Sequence, residues 1–400
     1  MKLQHSALAA LLAAALASPV ALAAKYDTGA SDKEIKIGNI NPYSGPASAY
    51  GTIGKTIAAY FKMVNEHGGV NGRKIEFISY DDGYSPPKAV EMARKLVEQD
   101  QVLLIFQSLG TPSNSAIHKY MNAKKVPQLF VATGATKWND PQHFPWSMGW
   151  QPNYQTEAHI YAEQILKNSP KAKIGILYQN DDYGKDYLKG FKDGLGANAS
   201  SMIVKEVSYE TSDPTVDSQV VQLQAAGADT FFNISTPKFA AQAIRKAYDT
   251  GWKPTQYLNN VSASVGSVLK PAGLEKCVGL ISTQYIKDPT DDQWKDDKSV
   301  QDWKAFMHKY YPEGNLADAS NIYGYTVAQT MVQVLKQAGD NLTHANIMKQ
   351  AASLHNFRPE TLLPGIRINT SATDFAPIES EQLIRFDGKE WKRFGPIIGK

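Results

Sequence analysis

"KIGILYQNDDYGKDYLKGFKDGLG", residues 173–196, decides the fold. A short apolar run, KIGILY, meets an acidic turn and then a helical pattern that stops at Gly196. That is one strand followed by one helix, and the layout recurs on both sides. Upstream, "IKIGNI" (Ile35 to Ile40) precedes a helical stretch from Gly54 to Asn65. "KIEFISYDD" precedes "PPKAVEMARKLVEQD", and "VLLIF" precedes "SNSAIHKYMNAKK" and the strand "PQLFVA". Downstream come "SMIVKEVSY", "TVDSQVVQLQAAG", "DTFFNIS", "KFAAQAIRKAYDTG" and "TQYLNNV". Strands alternating with helices of this length imply an α/β fold with parallel sheets and helices on both faces. The alternation breaks at "TKWNDPQHFPWSMGWQPNYQTE", rich in Pro, Trp and Asn, and restarts near residue 150. Two doubly wound lobes therefore flank a connector. Their strand ends would border one cleft, where open α/β sheets bind ligands.

Composition narrows the function. The 400 residues are 42% hydrophobic and 20% charged, ordinary for a globular chain of roughly two to three domains. A net charge of +3 without a dense basic run gives no nucleic-acid signature. The opening "MKLQHSALAALLAAALASPVALAA" has a basic start, an apolar run and an A-x-A end. It reads as a secretory signal over residues 1–23, cleaved before Ala24, which implies export to the periplasm. Cys277, the single cysteine, lies in apolar "LEKCVGLIST" and reads as a buried thiol.

Motifs for chemistry are missing. "YGTIGKT" (Tyr50 to Thr56) ends like a phosphate loop, but Ala49 stands where the first Gly must be. Phe106 occupies the first Gly of a G-x-S-x-G elbow around Ser108. There is no H-E-x-x-H, and the eight His residues show no ligand spacing. The expectation is no catalytic residue, no metal site and no cofactor.

Five stretches then fall in order: "IKIGNINPYSGPASAYG", "NEHGGVNGRKIEFISYDDGYSPPKAVEMARKLVEQD", "KVPQLFVATGATK", "KIGILYQNDDYGKDYLKGF" and "GADTFFNIS". Together they resemble the solute-binding proteins of branched-chain amino-acid-type ABC transporters, which have the type I periplasmic binding protein fold. The resemblance covers nearly the whole chain after the signal. It implies two lobes joined by three hinge crossings, with a ligand cleft between them. The first lobe would be residues 32–150 plus 284–358, the second 151–283 plus 359–400. It also implies a monomer that delivers a small-molecule carboxylate to a membrane ABC permease. A cradle in the first lobe would grip that carboxylate, supplied by Gly110, Thr111 and Ser113 in one loop and Ala132, Thr133, Gly134 and Thr136 in another. A helix start there suits an anion. Tyr50 and Tyr183 match positions that close over the ligand. Trp146, Trp150 and Tyr154 in the connector could sandwich a planar ligand, though hinge packing explains them equally well.

One departure bears on the ligand. Amino-acid binders of this family hold the α-ammonium with a carboxylate after the strand matched here by "TQYLNNV". No Asp or Glu occurs from Leu258 to Leu269, and Val261 stands in the acid's place. An unpaired buried ammonium costs several kcal/mol. Ser235 and Thr236 stand where amino-acid binders tend to carry Tyr, which leaves room for a larger body. The expected ligand is thus an organic carboxylate without an α-amino group, and the "SLGTPSN" and "WKP" stretches, which resemble those of aromatic-carboxylate binders, imply a benzoate or cinnamate type. The alternative is a branched-chain or other amino acid, with Asp181 or Asp182 as the ammonium partner. An exported hydrolase and a ligand sensor are the remaining readings.

Overall fold

The computed structural model describes residues 25–399, so the signal-like segment 1–23 lies outside the described residues. The first sheet is built from β1 (Glu34–Asn41), β2 (Lys74–Asp81), β3 (Leu104–Phe106), β4 (Gln128–Val131) and β5 (Ser147–Gly149). All are parallel, in the order β2-β1-β3-β4-β5. Its helices are α1 (Gly51–Glu66), α2 (Pro86–Arg94) and α3 (Thr111–Lys124). Asn71 and Gly72 both take positive φ, 49° and 80°, in a tight turn.

The connector then feeds α4 (Tyr154–Asn168), β6 (Ile174–Gln179), α5 (Asp182–Leu195), β7 (Ile203–Tyr209), α6 (Asp217–Ala225), β8 (Thr230–Ile234), α7 (Pro237–Asp249), β9 (Thr255–Leu258) and β10 (Ile281–Gln284). Side-chain caps start α4 and α5. Asn153 accepts from the N–H groups of Gln155 and Thr156, and Asp181 from those of Tyr183 and Gly184. The chain returns to the first lobe with α8 (Lys298–Tyr310), α9 (Ala319–Ala338) and α10 (His344–Ala351). It ends in β11 (Ser380–Phe386) and β12 (Trp391–Gly399).

The second sheet runs β12-β11-β10-β9-β8-β6-β7. β6 to β10 pair in parallel, while β11 and β12 form an antiparallel hairpin added at the β10 edge. The expectation of parallel sheets therefore holds except at this edge. A short turn through Gly388 allows the hairpin, where a parallel pair would need a long crossover.

The return to the second lobe falls later than residue 359. Leu362, Leu363, Ile366, Ile368, Phe375 and Ile378 all pack into the core shared with Trp303, Val327 and Met331. Cys277 is buried, with its thiol against the Leu269 and Gly273 carbonyls. Burial pushes that thiol up to about 12, so it stays protonated and inert. Among the described residues no helix is long and apolar enough to cross a membrane.

Candidate functional site: the interlobe cleft

The carboxyl ends of β1 to β4 face those of β6, β8 and β9 across a cleft with an internal cavity of about 120 Å³. The backbone at the first-lobe edge is strained. Tyr84, Gln107 and Phe130 take φ of 61°, 56° and 54° just after or within β2, β3 and β4. Side chains hold these bends. Asp82 accepts the Tyr84 N–H at 2.9 Å and the Ser113 hydroxyl at 2.6 Å. The Asn39 amide donates to the carbonyls of Phe106 (2.9 Å) and Gln107 (3.0 Å). The Gln107 amide donates to the Phe130 carbonyl and, at 3.2 Å, to the Tyr323 hydroxyl.

Of the residues expected from sequence, Tyr50, Gly110, Thr111, Ala132, Tyr154, Tyr183 and Val261 line this cavity together. Thr133 backs it, its hydroxyl 2.6 Å from that of Thr111. Gly134 keeps its place for space, since a Cβ there would lie 2.2 Å from the Pro152 carbonyl oxygen and 2.7 Å from the Tyr154 ring. Four residues lie elsewhere. Ser113, two positions past Thr111 on α3, points to the other side of the helix and binds Asp82. Thr136 faces the second lobe outside the cavity, bound to Asp186 through its N–H (2.8 Å) and hydroxyl (3.0 Å). Ser235 is fully buried behind the wall, its carbonyl accepting from Ser262. Trp150 is fully buried in the first-lobe core, donating to Thr330 at 3.1 Å, and Trp146 packs against the same core.

Tyrosines take the place of the expected tryptophans. Tyr84, Tyr285 and Tyr323 join Tyr50, Tyr154 and Tyr183 on the wall. The Tyr154 and Tyr183 rings meet edge to face at 5.4 Å. Burial raises the hydroxyl of Tyr154 to about 12 and that of Tyr50 well above its ordinary value, so these groups act as neutral donors and acceptors. Thr236, named from sequence beside Ser235, also lines the cavity, while Tyr84, Gln151, Asn260, Gln284, Tyr285, Lys287, Asp288 and Tyr323 escaped the sequence reading. For Tyr84 a signal existed in "DDGYSPP", a turn at a strand end opening a helix.

Neither Asp181 nor Asp182 lines the cavity. Asp181 caps α5, and Asp182 pairs with Lys137 at 2.6 Å. Behind the wall at Asn260 lies a pair of buried carboxylates. Glu157 accepts from Tyr161 (2.7 Å), Tyr187 (2.6 Å) and the Asn260 N–H (2.7 Å). Burial still lifts it to about 7. Glu381 accepts from Thr283 at 2.8 Å and is raised further by burial and by the Glu157 charge.

The lobes touch across the cleft on several sides. The Tyr50 hydroxyl donates to the Val261 carbonyl at 2.9 Å. Ser264 donates to Asp318 at 2.9 Å, and the Gly266 N–H to the Ala317 carbonyl at 2.8 Å. Tyr50→Phe should weaken ligand binding about tenfold, because the Val261 carbonyl loses a buried donor only in the closed form. Calorimetric titration beside an unfolding curve tests this; equal affinities would remove Tyr50 from closure.

Two α/β lobes, three crossings and a largely apolar cavity between strand ends define a clamp-type small-molecule binder. The chain belongs to the periplasmic binding protein family, whose description matches residues 34–390. That family binds small-molecule ligands and works with ABC transporter permeases. The chain is similar to "Leu/Ile/Val-binding protein homolog 1" of Brucella abortus, 26% identical over 339 residues, covering 82% of this chain and 85% of the relative. Its fold resembles a branched chain amino acid ABC transporter protein from Thermus thermophilus with bound valine, at a TM-score of 0.83 and 14% identity, over 93% of this chain and 98% of that one. It also resembles the fatty acid ABC transporter substrate-binding protein from Thermomonospora curvata, at a TM-score of 0.80 and 23% identity, over 94% and 95%.

Proposed function

We propose that the protein is exported to the periplasm, captures a small organic carboxylate lacking an α-ammonium, and hands it to an ABC importer without chemistry of its own. The carrying observation is the wall at Val261. Val261 lines the cavity, its carbonyl is taken by Tyr50, Asp181 and Asp182 are committed elsewhere, and the one carboxylate among the described lining residues, Asp288, belongs to the segment after β10 and not to the loop after β9. The Gly110–Thr111 loop at the start of α3 would grip the carboxylate through N–H groups and the hydroxyl. The tyrosine faces would hold an apolar body, and an aromatic acid of benzoate or cinnamate type suits them. The fatty acid protein of similar fold also carries a carboxylate ligand without an ammonium in its name.

A second reading is a branched-chain amino acid. The names of the Brucella relative and of the valine-bound neighbour favour it over an aromatic acid.

The test is thermal unfolding of protein freed of carried-over ligand, against benzoates, cinnamates, aliphatic acids and branched-chain amino acids. A ligand at 100 times its Kd adds about 2.7 kcal/mol. Shifts from simple carboxylates with none from leucine or valine are expected. A shift from leucine or valine alone establishes the second reading.

A further inference from the structure

Another stretch of the cavity wall is built differently from the Gly110–Thr111 loop. The segment from Thr283 to Asp288 lines it, together with Ser264, Ser320 and Trp391. Asp288 is the one carboxylate among the described lining residues, and it is 5% exposed. Thr290 serves only its Oδ1, through the N–H at 2.8 Å and the hydroxyl at 2.6 Å. Among the described residues no hydrogen bond reaches Oδ2. The neighbouring ammonium does not neutralise it. Lys287 Nζ is drawn off to Asp297 at 2.8 and 2.9 Å and to Ser299 at 3.0 Å. Gln284, on the same wall, has a side-chain oxygen buried without a partner. Two acceptors thus stand unserved on one side of an otherwise tyrosine-lined cavity. The buried Gln284 oxygen is costly to leave unpaired, and a ligand that supplies a donor to this wall recovers part of that cost.

We infer that Asp288 receives a hydrogen-bond donor, an ammonium or a hydroxyl, carried at the end of the ligand remote from its carboxylate. The inference rests on the carboxylate reading above and sharpens it to a bifunctional acid. The surroundings favour it. Burial above all, with a smaller contribution from the Asp318 and Glu390 charges, holds the Asp288 carboxyl above its ordinary range, so a donor there relieves an unfavourable site. Val261 and Asp288 then divide the ligand: no ammonium beside the carboxylate, a donor at the far end.

The experiment is calorimetric titration with matched acids. Benzoate is compared with 4-hydroxybenzoate and 4-(aminomethyl)benzoate, and pentanoate with 5-hydroxypentanoate and 5-aminopentanoate. In at least one series the donor-bearing acid should bind about tenfold or more tighter than its parent, as expected for a hydrogen bond to a charged group. The two arms separate hydroxyl from ammonium. In Asp288→Ala the ratio should fall to about one. Asp288→Asn, which keeps volume and one acceptor, should lose preference for the ammonium first. Unfolding curves of both variants check folding. If parent acids bind and donors bring no gain, or if the gain survives in both variants, the inference is overturned while the carboxylate reading stands. If only α-amino acids bind, the carboxylate reading fails and takes the inference with it.

Discussion

Gly110→Ala should lower the unfolding free energy by about 1–3 kcal/mol and weaken ligand binding about tenfold or more. Gly110 precedes α3 with φ 94° and ψ 136°, a conformation that residues with a Cβ rarely adopt. A Cβ there would sit 2.4 Å from the Tyr84 ring. Tyr84 cannot simply move aside. Its own φ is 61°, its N–H is fixed by Asp82, and its hydroxyl accepts from Gln179 of the second lobe at 3.4 Å. The added methyl must therefore push the ring into the cavity or shift the loop that holds Thr111. Either way the ligand surface changes as well as stability. Chemical denaturation and titration with a panel acid check both effects. A variant as stable and as tight-binding as the parent would show that this loop is slack.

The second large effect concerns pH. Glu157 has an ordinary value of 4.5, and burial raises it to about 7 in the folded protein. Between these values the native state binds a proton that the unfolded chain has released. Its stabilisation is fully present below about pH 4.5 and is lost as pH rises through about 7. Unfolding free energy should therefore drop by on the order of 2–3 kcal/mol between pH 5 and pH 8 on account of this group. Glu157→Gln is neutral throughout and should flatten that part of the profile. Its amide can still meet Tyr161, Tyr187 and the Asn260 N–H, so the fold should persist. Denaturant curves at pH 5 and pH 8 make the comparison. Parallel profiles for parent and variant would mean that the three donors keep Glu157 ionised in the fold.

The alternation of apolar runs with helical patterns was sufficient for the two lobes, because buried parallel strands leave near-continuous apolar segments. The C-terminal hairpin was not legible, since β12 is mostly open to solvent and mixes Lys, Arg, Gly and Pro with its apolar residues. In the cleft, hydroxyl-rich loops at strand ends pointed to Gly110, Thr111 and Ala132. Residue type did not reveal direction. Ser113 and Thr111 differ by two helix positions, and only one can face the cavity. Trp150 reads as a binding aromatic or a core aromatic until its neighbours are known. Tyr84 escaped because an aromatic residue at positive φ breaks the usual preference. Asp288 escaped because its significance depends on partners it lacks.

The order in which the second sheet is assembled has a consequence for how the chain folds. Five of its strands come from residues 174–284, and the two that finish one edge come from residues 380–399, after the first lobe has received three more helices. Neither lobe is a contiguous piece of chain. As the polypeptide emerges from its N-terminus, the second sheet must wait, with the β10 edge unpaired, until the last twenty or so residues arrive. Such long-range pairing makes folding slow and leaves a sticky intermediate. A chain cut short before Ser380 should therefore aggregate rather than fold into a clamp with one shortened sheet.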